Sequence, residues 1–276
     1  MQNPARPNWE AMLHEALTEP GRLSECYNIF HNYSMGNRIL ATVQLHARGM
    51  RLSPIASFNK WKELGRTVKR GEKALSLIMP VTIKKPAADT ESGSEGSDGA
   101  EGESNLVTIF PMRPNWFSLD QTEGAPYTPP EIPPWDKDAA LAALGIAEIP
   151  FEDLNGNAQG YAYPKAKRVA INPVAALPWK TRFHEIAHCL LHGAEAHMID
   201  GSALTRDVKE MEAESVAYLC CASLGLPGLI ESRGYIQCWL GPQSKERSKD
   251  FARRSSIRIF SAADKILKAG QPRQEA

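Results

Sequence analysis

His184, Glu185 and His188 stand in the order His-Glu-Ile-Ala-His within a run whose apolar members, Phe183, Ile186, Ala187, Leu190 and Leu191, recur at helical spacing. On a helix, imidazoles at i and i+4 project from one face about 6 Å apart, the separation two nitrogens need to reach one metal ion. Glu185 lies one residue along, where its carboxylate can polarise a water on that metal and serve as the catalytic base. The apolar neighbours would bury both histidines, which an ordinary surface helix does not do. The chemistry that fits is a mononuclear metallopeptidase site, holding zinc or another divalent metal such as Mn2+.

A catalytic zinc takes three protein ligands, so the third must come from further along. In the helical pattern from Arg206 to Leu224, Glu210, Glu214 and Tyr218 share one face, and Glu212 points elsewhere, as a solvated acidic residue would. Glu214 is followed by Val216, Ala217, Leu219 and Cys220, which mark entry into a core where an unpaired carboxylate is costly. It is therefore the favoured third ligand, with Glu210 as a neighbour of the ligands or an alternative. His192 continues the i, i+4 series, but Gly193 reads as a helix stop, so His192 is given a structural role. Tyr161, Tyr163, Tyr218, Tyr235 and His197 all remain open as partners of a developing oxyanion.

A second chemistry lies near the start. Single strands of nucleic acid bind where a basic groove tracks phosphates and rings stack on bases. Between residues 27 and 73, Tyr27, Tyr33 and Trp61 interleave with Arg38, Lys60, Arg66, Lys69 and Arg70, and Asn32 and Asn37 add neutral donors. The competing reading is that the rings are core and the cations a solvated face.

The elements that must position these residues can be read from the pattern. Helices are expected around Trp9 to Leu17 and, with an interruption at Gly36, from about Ser24 to Gly49, followed by a short one ending at Gly65. Strand character runs from Ala74 to Ile83 and resumes at Leu106. The stretch between, 86–104, has only small, polar and acidic side chains, so it is expected as a disordered hairpin loop between two strands of one sheet. Five prolines between Gly124 and Trp135 mark a linker that should hold the nucleic-acid face apart from the metal site. Beyond it come a helix from Asp138, short strands at 161–163 and 168–171, and helices at about 178–192, 206–224, 228–240 and 244–268.

Charge is sorted along the chain. Residues 1–85 hold 13 Lys/Arg against 6 Asp/Glu, and residues 86–136 hold 1 against 10, although the total balances at 32 each. A basic N-terminal part points to an anionic partner. Five cysteines without two-residue spacing indicate neither a thiolate zinc site nor a paired disulfide framework. With no long apolar run and no signal peptide, no membrane partner is expected and the protein is read as cytoplasmic.

The segments around His184 to Gly193 and Glu210 to Cys221 resemble the zincin-type domain of ArdC-like antirestriction proteins and, more distantly, the ImmA/IrrE metallopeptidases. Trp9, Tyr27-Asn28, the run from Trp61 to Lys73 and the run from Phe117 to Gly124 resemble the ArdC N-terminal domain. The resemblance implies an α+β chain, with an α/β single-stranded-DNA-binding domain over 1–124, a linker over 125–136 and a mainly helical zincin-like domain with a small β-sheet over 137–276. It further implies protection of incoming plasmid or phage DNA, a gluzincin-like peptidase site and a protein substrate from a host defence system. The alternative is a single-strand-binding protective protein whose metal site is structural or silent; a metal-dependent nuclease ranks third.

Overall fold

A computed structural model of the chain describes residues 8–18, 20–30, 32–84, 106–152, 157–193, 204–229 and 249–271. The acidic stretch 86–104, His197, Tyr235 and most of the expected helix at 228–240 lie outside the described residues. The architecture is α+β, with helices and several small sheets.

The N-terminal helices are α1 (Trp9–Thr18), α2 (Pro20–Ile29) and α3 (Met35–Ala47). Pro20 opens α2, where its missing N–H costs nothing. The break before α3 falls ahead of Gly36 rather than at it: Ser34 caps α3 by accepting from the Asn37 N–H. Strand β1 (Ile55–Ser57) runs into α4 (Phe58–Glu63), capped by Ser57, and then β2 (Arg66–Val68). The expected strand from Ala74 divides at Met79-Pro80 into β3 (Leu75–Ile78) and β4 (Val81–Lys84). β4 pairs antiparallel with β5 (Leu106–Ile109), Val81 opposite Ile109 and Lys84 opposite Leu106, so the acidic stretch does connect paired strands. β6 (Met112–Ser118) lies between β1 and β3, and β7 (Thr122–Gly124) pairs with β2.

Past the proline-rich segment come α5 (Lys137–Leu144), β8 (Ala147–Ile149), β9 (Gly160–Tyr163) and β10 (Arg168–Ile171). β10 is central, antiparallel to β9 and parallel to β8, a three-residue strand that the sequence pattern does not announce. Three long helices follow: α6 (Pro178–Leu191), α7 (Arg206–Leu224) and α8 (Lys249–Ala269). No helix among the described residues is long and apolar enough to cross a membrane.

One continuous cluster of buried residues includes Leu13 and Leu17 of α1, Leu45 of α3, Phe183 of α6, Val216 of α7 and Ile266 of α8. Helices from both sides of the proline-rich segment therefore share a core. Met35 N–H at the start of α3 donates to Asp264 of α8 at 2.6 Å, joining the halves directly. Nor does the proline-rich segment stand off as a spacer. Trp135 packs edge-on against Trp179 and Phe183, with centroids 5.8 and 5.2 Å away, and donates its indole N–H to the Ile266 carbonyl at 3.1 Å.

Candidate metal centre

Pro178 sits in the first turn of α6, and Phe183, Ile186, Ala187 and Leu191 turn one stripe of that helix into the core. This fixes the rotation of α6, so His184 and His188 emerge together on the flank facing α7, ring centroids 4.7 Å apart. Thr205 caps α7 through the Val208 N–H, and that helix presents Glu210 and Glu214 one turn apart.

Nε2 of His184 and Nε2 of His188 lie 3.0 Å apart, and Oε2 of Glu210 lies 3.3 Å from the first and 3.7 Å from the second. A tetrahedral ion with ligands at about 2.0–2.1 Å separates its donors by about 3.3 Å, so these three atoms fit three corners around a divalent cation. Glu214 is elsewhere: its Oε2 meets Nδ1 of His184 at 3.1 Å, and its Oε1 meets Nζ of Lys180 at 2.7 Å. The geometry thus gives Glu210 the place that the sequence favoured for Glu214, and makes Glu214 the group that holds the far side of the His184 ring. A metal-ligating imidazole commonly donates its other N–H to such a carboxylate.

Glu212 overturns its expectation outright. It is fully buried, not solvated, with Oε2 3.1 Å from Nε2 of His192 and Oε1 2.6 Å from both Ser255 Oγ and Arg258 of α8. Nδ1 of His192 in turn lies 2.8 Å from Nδ1 of His188. The sequence could not show this, because the cover over Glu212 comes from a helix more than 40 residues downstream.

The electrostatics are those of a cation site. Burial pulls the His184 imidazolium down, but hydrogen bonds to Glu210 and Glu214 outweigh it and raise its pKa overall. A field that holds a proton so firmly also favours a metal ion. His188 is pushed the other way, by burial first and then by its His184 and His192 neighbours, which keeps its imidazole neutral as a ligand must be. Burial raises the Glu185 carboxyl to about 7, in the range where a carboxylate both takes and returns a proton near neutrality.

Strand β9 lies against the base. A Cβ on Gly160 would meet Cγ of Glu185 at 3.1 Å, Cγ2 of Thr181 at 2.7 Å and the Ala170 carbonyl at 3.1 Å, so only glycine permits this approach. Of the oxyanion candidates, Tyr218 is fully buried in the core and cannot meet a substrate, and Tyr163 is exposed. Tyr161 follows Gly160 and stacks on Phe151 at 5.4 Å.

The expected nucleic-acid residues divide sharply. Trp61 is core, 1% exposed, with its indole N–H on the Phe117 carbonyl at 2.8 Å. Tyr27 and Arg38 are buried too, the guanidinium 4.8 Å over the Tyr27 ring and donating to the Phe30 and Tyr33 carbonyls. The Tyr33 hydroxyl donates to the Ile55 carbonyl at 3.0 Å, and Asn37 pairs with both backbone groups of Ile78 at 2.8 and 2.9 Å. These five tie the fold together, and Trp61, Tyr27 and Arg38 are too buried to face a ligand. Arg66 is bound to Thr122 and the Ala125 carbonyl, and Lys69 to the Asp120 carbonyl at 2.9 Å. Asn32, Lys60 and Arg70 are exposed. A ring that does face solvent between residues 27 and 73 is Phe58, 46% exposed on α4 beside Lys60 and Lys62 and edge-on to Phe117.

Residues 6–111 match the family described as the N-terminal domain of anti-restriction factor ArdC. The fold resembles the metal-free crystal structure of the antirestriction ArdC protein from the R388 plasmid, with 20% identity and a TM-score of 0.57 over 96% of this chain and 98% of that one. The Mn(II)-bound structure of that protein matches at 19% identity and a TM-score of 0.51, with the same coverage. An uncharacterised protein of Sinorhizobium fredii is 27% identical over 238 residues, 80% of this chain and 70% of the relative. An uncharacterised protein of Bacillus anthracis is 26% identical over 266 residues, and the match takes in 81% of this chain but 44% of that protein's length.

Proposed function

Taking residues 6–111 as an ArdC N-terminal domain and the whole chain as ArdC-like in fold, we propose that it is an antirestriction protein that binds single-stranded DNA and hydrolyses a protein of a host defence system at a divalent-cation site. The observation that carries the reading is the convergence of His184 Nε2, His188 Nε2 and Glu210 Oε2, with buried Glu185 the next residue after His184. A related fold holding Mn(II) supports a cation here.

A bound cation would supply Lewis-acid polarisation of the scissile carbonyl and of the attacking water. The Glu185 carboxylate would take a proton from the attacking water and return it to the amine nitrogen that leaves, the exchange suited to a group held at about 7. Glu214, anchored by Lys180, keeps the His184 ring turned so that Nε2 faces inward. Three ligands and a base among the described residues favour a working hydrolase over a structural site, which would close the fourth position with another side chain.

Glu185→Gln tests the reading. It should bind one equivalent of Zn2+ or Mn2+ as the parent does, yet lose cleavage of candidate host proteins by about 10²–10⁴-fold. A variant that cleaves at the parent rate sinks the peptidase assignment. A parent that binds oligonucleotide and metal but cleaves nothing leaves the silent-site alternative.

A further inference from the structure

We propose that His192 and Glu212 are positioning residues that lock the tautomer of His188, so that its Nε2 is presented as a lone pair to the cation. The inference rests on the metal reading above and deepens it.

Glu212 is an acceptor at both oxygens. On one side Ser255 Oγ and Arg258 both lie 2.6 Å from Oε1, and a guanidinium can only donate. On the other side Nε2 of His192 lies 3.1 Å from Oε2 and must donate to a carboxylate. A neutral imidazole that is N–H at Nε2 is a lone pair at Nδ1. Nδ1 of His192 therefore accepts, and Nδ1 of His188, 2.8 Å away, must carry the hydrogen. His188 is then a lone pair at Nε2, the nitrogen that faces His184 and Glu210. Each link leaves one choice for the next.

The arrangement parallels the first ligand. His184 is held by Glu214 directly, at Nδ1. His188 is held by Glu212 through an intervening ring. Both carboxylates come from α7, two residues apart and so on different faces, and the second is fixed in turn by α8. Side-chain exposures of 2% for His192 and 0% for Glu212 shield these hydrogen bonds from bulk solvent.

Glu212→Gln makes a sharp test because Arg258 and Ser255 force the amide oxygen to their side. The amide NH2 then faces His192 and turns Nε2 into an acceptor. Nδ1 of His192 becomes a donor, and the hydrogen of His188 moves to Nε2, where it blocks the cation. Histidine ring 15N shifts in the metal-free full chain should show His188 as the Nδ1–H form and His192 as the Nε2–H form in the parent, with both reversed in the variant. Zn2+ and Mn2+ affinity, measured by chelator competition, should fall by about 10–100-fold. Unchanged ring shifts and unchanged affinity overturn the proposal.

Should Glu212→Gln fail to fold, substitutions at His192 decide. In His192→Gln the amide nitrogen can donate to Glu212 while its oxygen accepts from His188, so affinity should stay within about threefold of the parent. His192→Leu should lose about tenfold or more. Equal affinities for the two overturn the relay. If the parent itself binds no metal, the metal reading fails, but the ring shifts of the metal-free parent still report whether the relay holds.

Discussion

Glu214 grips His184 on its Nδ1 side, at 3.1 Å, and leaves the opposite nitrogen to point at Glu210. The two carboxylates differ by one helical turn and by role. Glu210→Ala should abolish stoichiometric metal binding, since it removes one of three donors. Glu214→Gln should keep the metal but weaken it by about 10–100-fold. Chelator competition on the two variants measures this, and the opposite ranking would give Glu214 the ligand's place.

The sequence marked one helix face and favoured Glu214 on it over Glu210, whereas the structure brings Glu210 to the two Nε2 atoms. Periodicity shows that Glu210 and Glu214 point the same way, but which one reaches the histidines depends on how far α7 slides along α6, and no local pattern records that offset. Burial of Glu212 is set by α8 in the same manner. By contrast, α6, α7, β9 and β10 were legible almost to the residue, because each has a period, a cap or a turn of its own. Strand β8 was not, since three residues carry no period. In the N-terminal half, interleaved rings and cations could be read either as core or as ligand face, and for Trp61, Tyr27 and Arg38 the core claimed them.

Trp61 and Phe58 make opposite predictions three residues apart. Truncating the buried indole in Trp61→Ala should cost about 3–5 kcal/mol of folding stability and forfeit the bond to the Phe117 carbonyl. Phe58→Ala should melt close to the parent and, if the exposed ring stacks on a base, weaken single-strand binding by about 1–3 kcal/mol. Thermal melts beside fluorescence anisotropy separate the two. A Phe58→Ala variant with parental affinity removes this ring from the DNA face.

Acid should release one tie in the C-terminal half. Arg182 donates to both oxygens of Glu148, at 3.0 and 2.9 Å, and this hydrogen bonding holds the Glu148 pKa below its ordinary 4.5 despite partial burial. A depressed carboxylate contributes stability that is complete above the unfolded value, near 4.5, and is lost as pH falls through the lower folded value. Glu148→Gln should therefore destabilise by about 1–2 kcal/mol at pH 7 and by progressively less below pH 4.5. The more exposed Arg51–Asp120 pair is the reference: Asp120→Asn should move the melt less. Urea midpoints at several pH values give the comparison, and a pH-independent Glu148→Gln deficit would mean that packing, not charge, is what was lost.

Salt dependence tests the basic face, and the structure divides its cations in advance. Phosphate contacts release counterions, so each lost contact should shallow the log–log slope on single strands by about 0.7. Arg66 and Lys69 already donate to backbone carbonyls and Thr122, so replacing Arg66 by Ala should loosen the pairing of β2 with β7 and lower the melt as well as the affinity. Arg70 is exposed at the turn after β2, and Lys60 makes an exposed pair with Glu63 at 2.9 Å, a contact of little energy that a phosphate can displace. Arg70→Ala and Lys60→Ala should accordingly reduce the slope, one contact each, with parental melting temperatures. Titrating a fluorescent oligonucleotide from low to moderate salt reads that slope for each variant. If both keep the parental slope, the phosphate track does not run across α4 and the β2–β3 turn, and other exposed cations of the N-terminal half, such as Arg48 and Arg51, become the face to test.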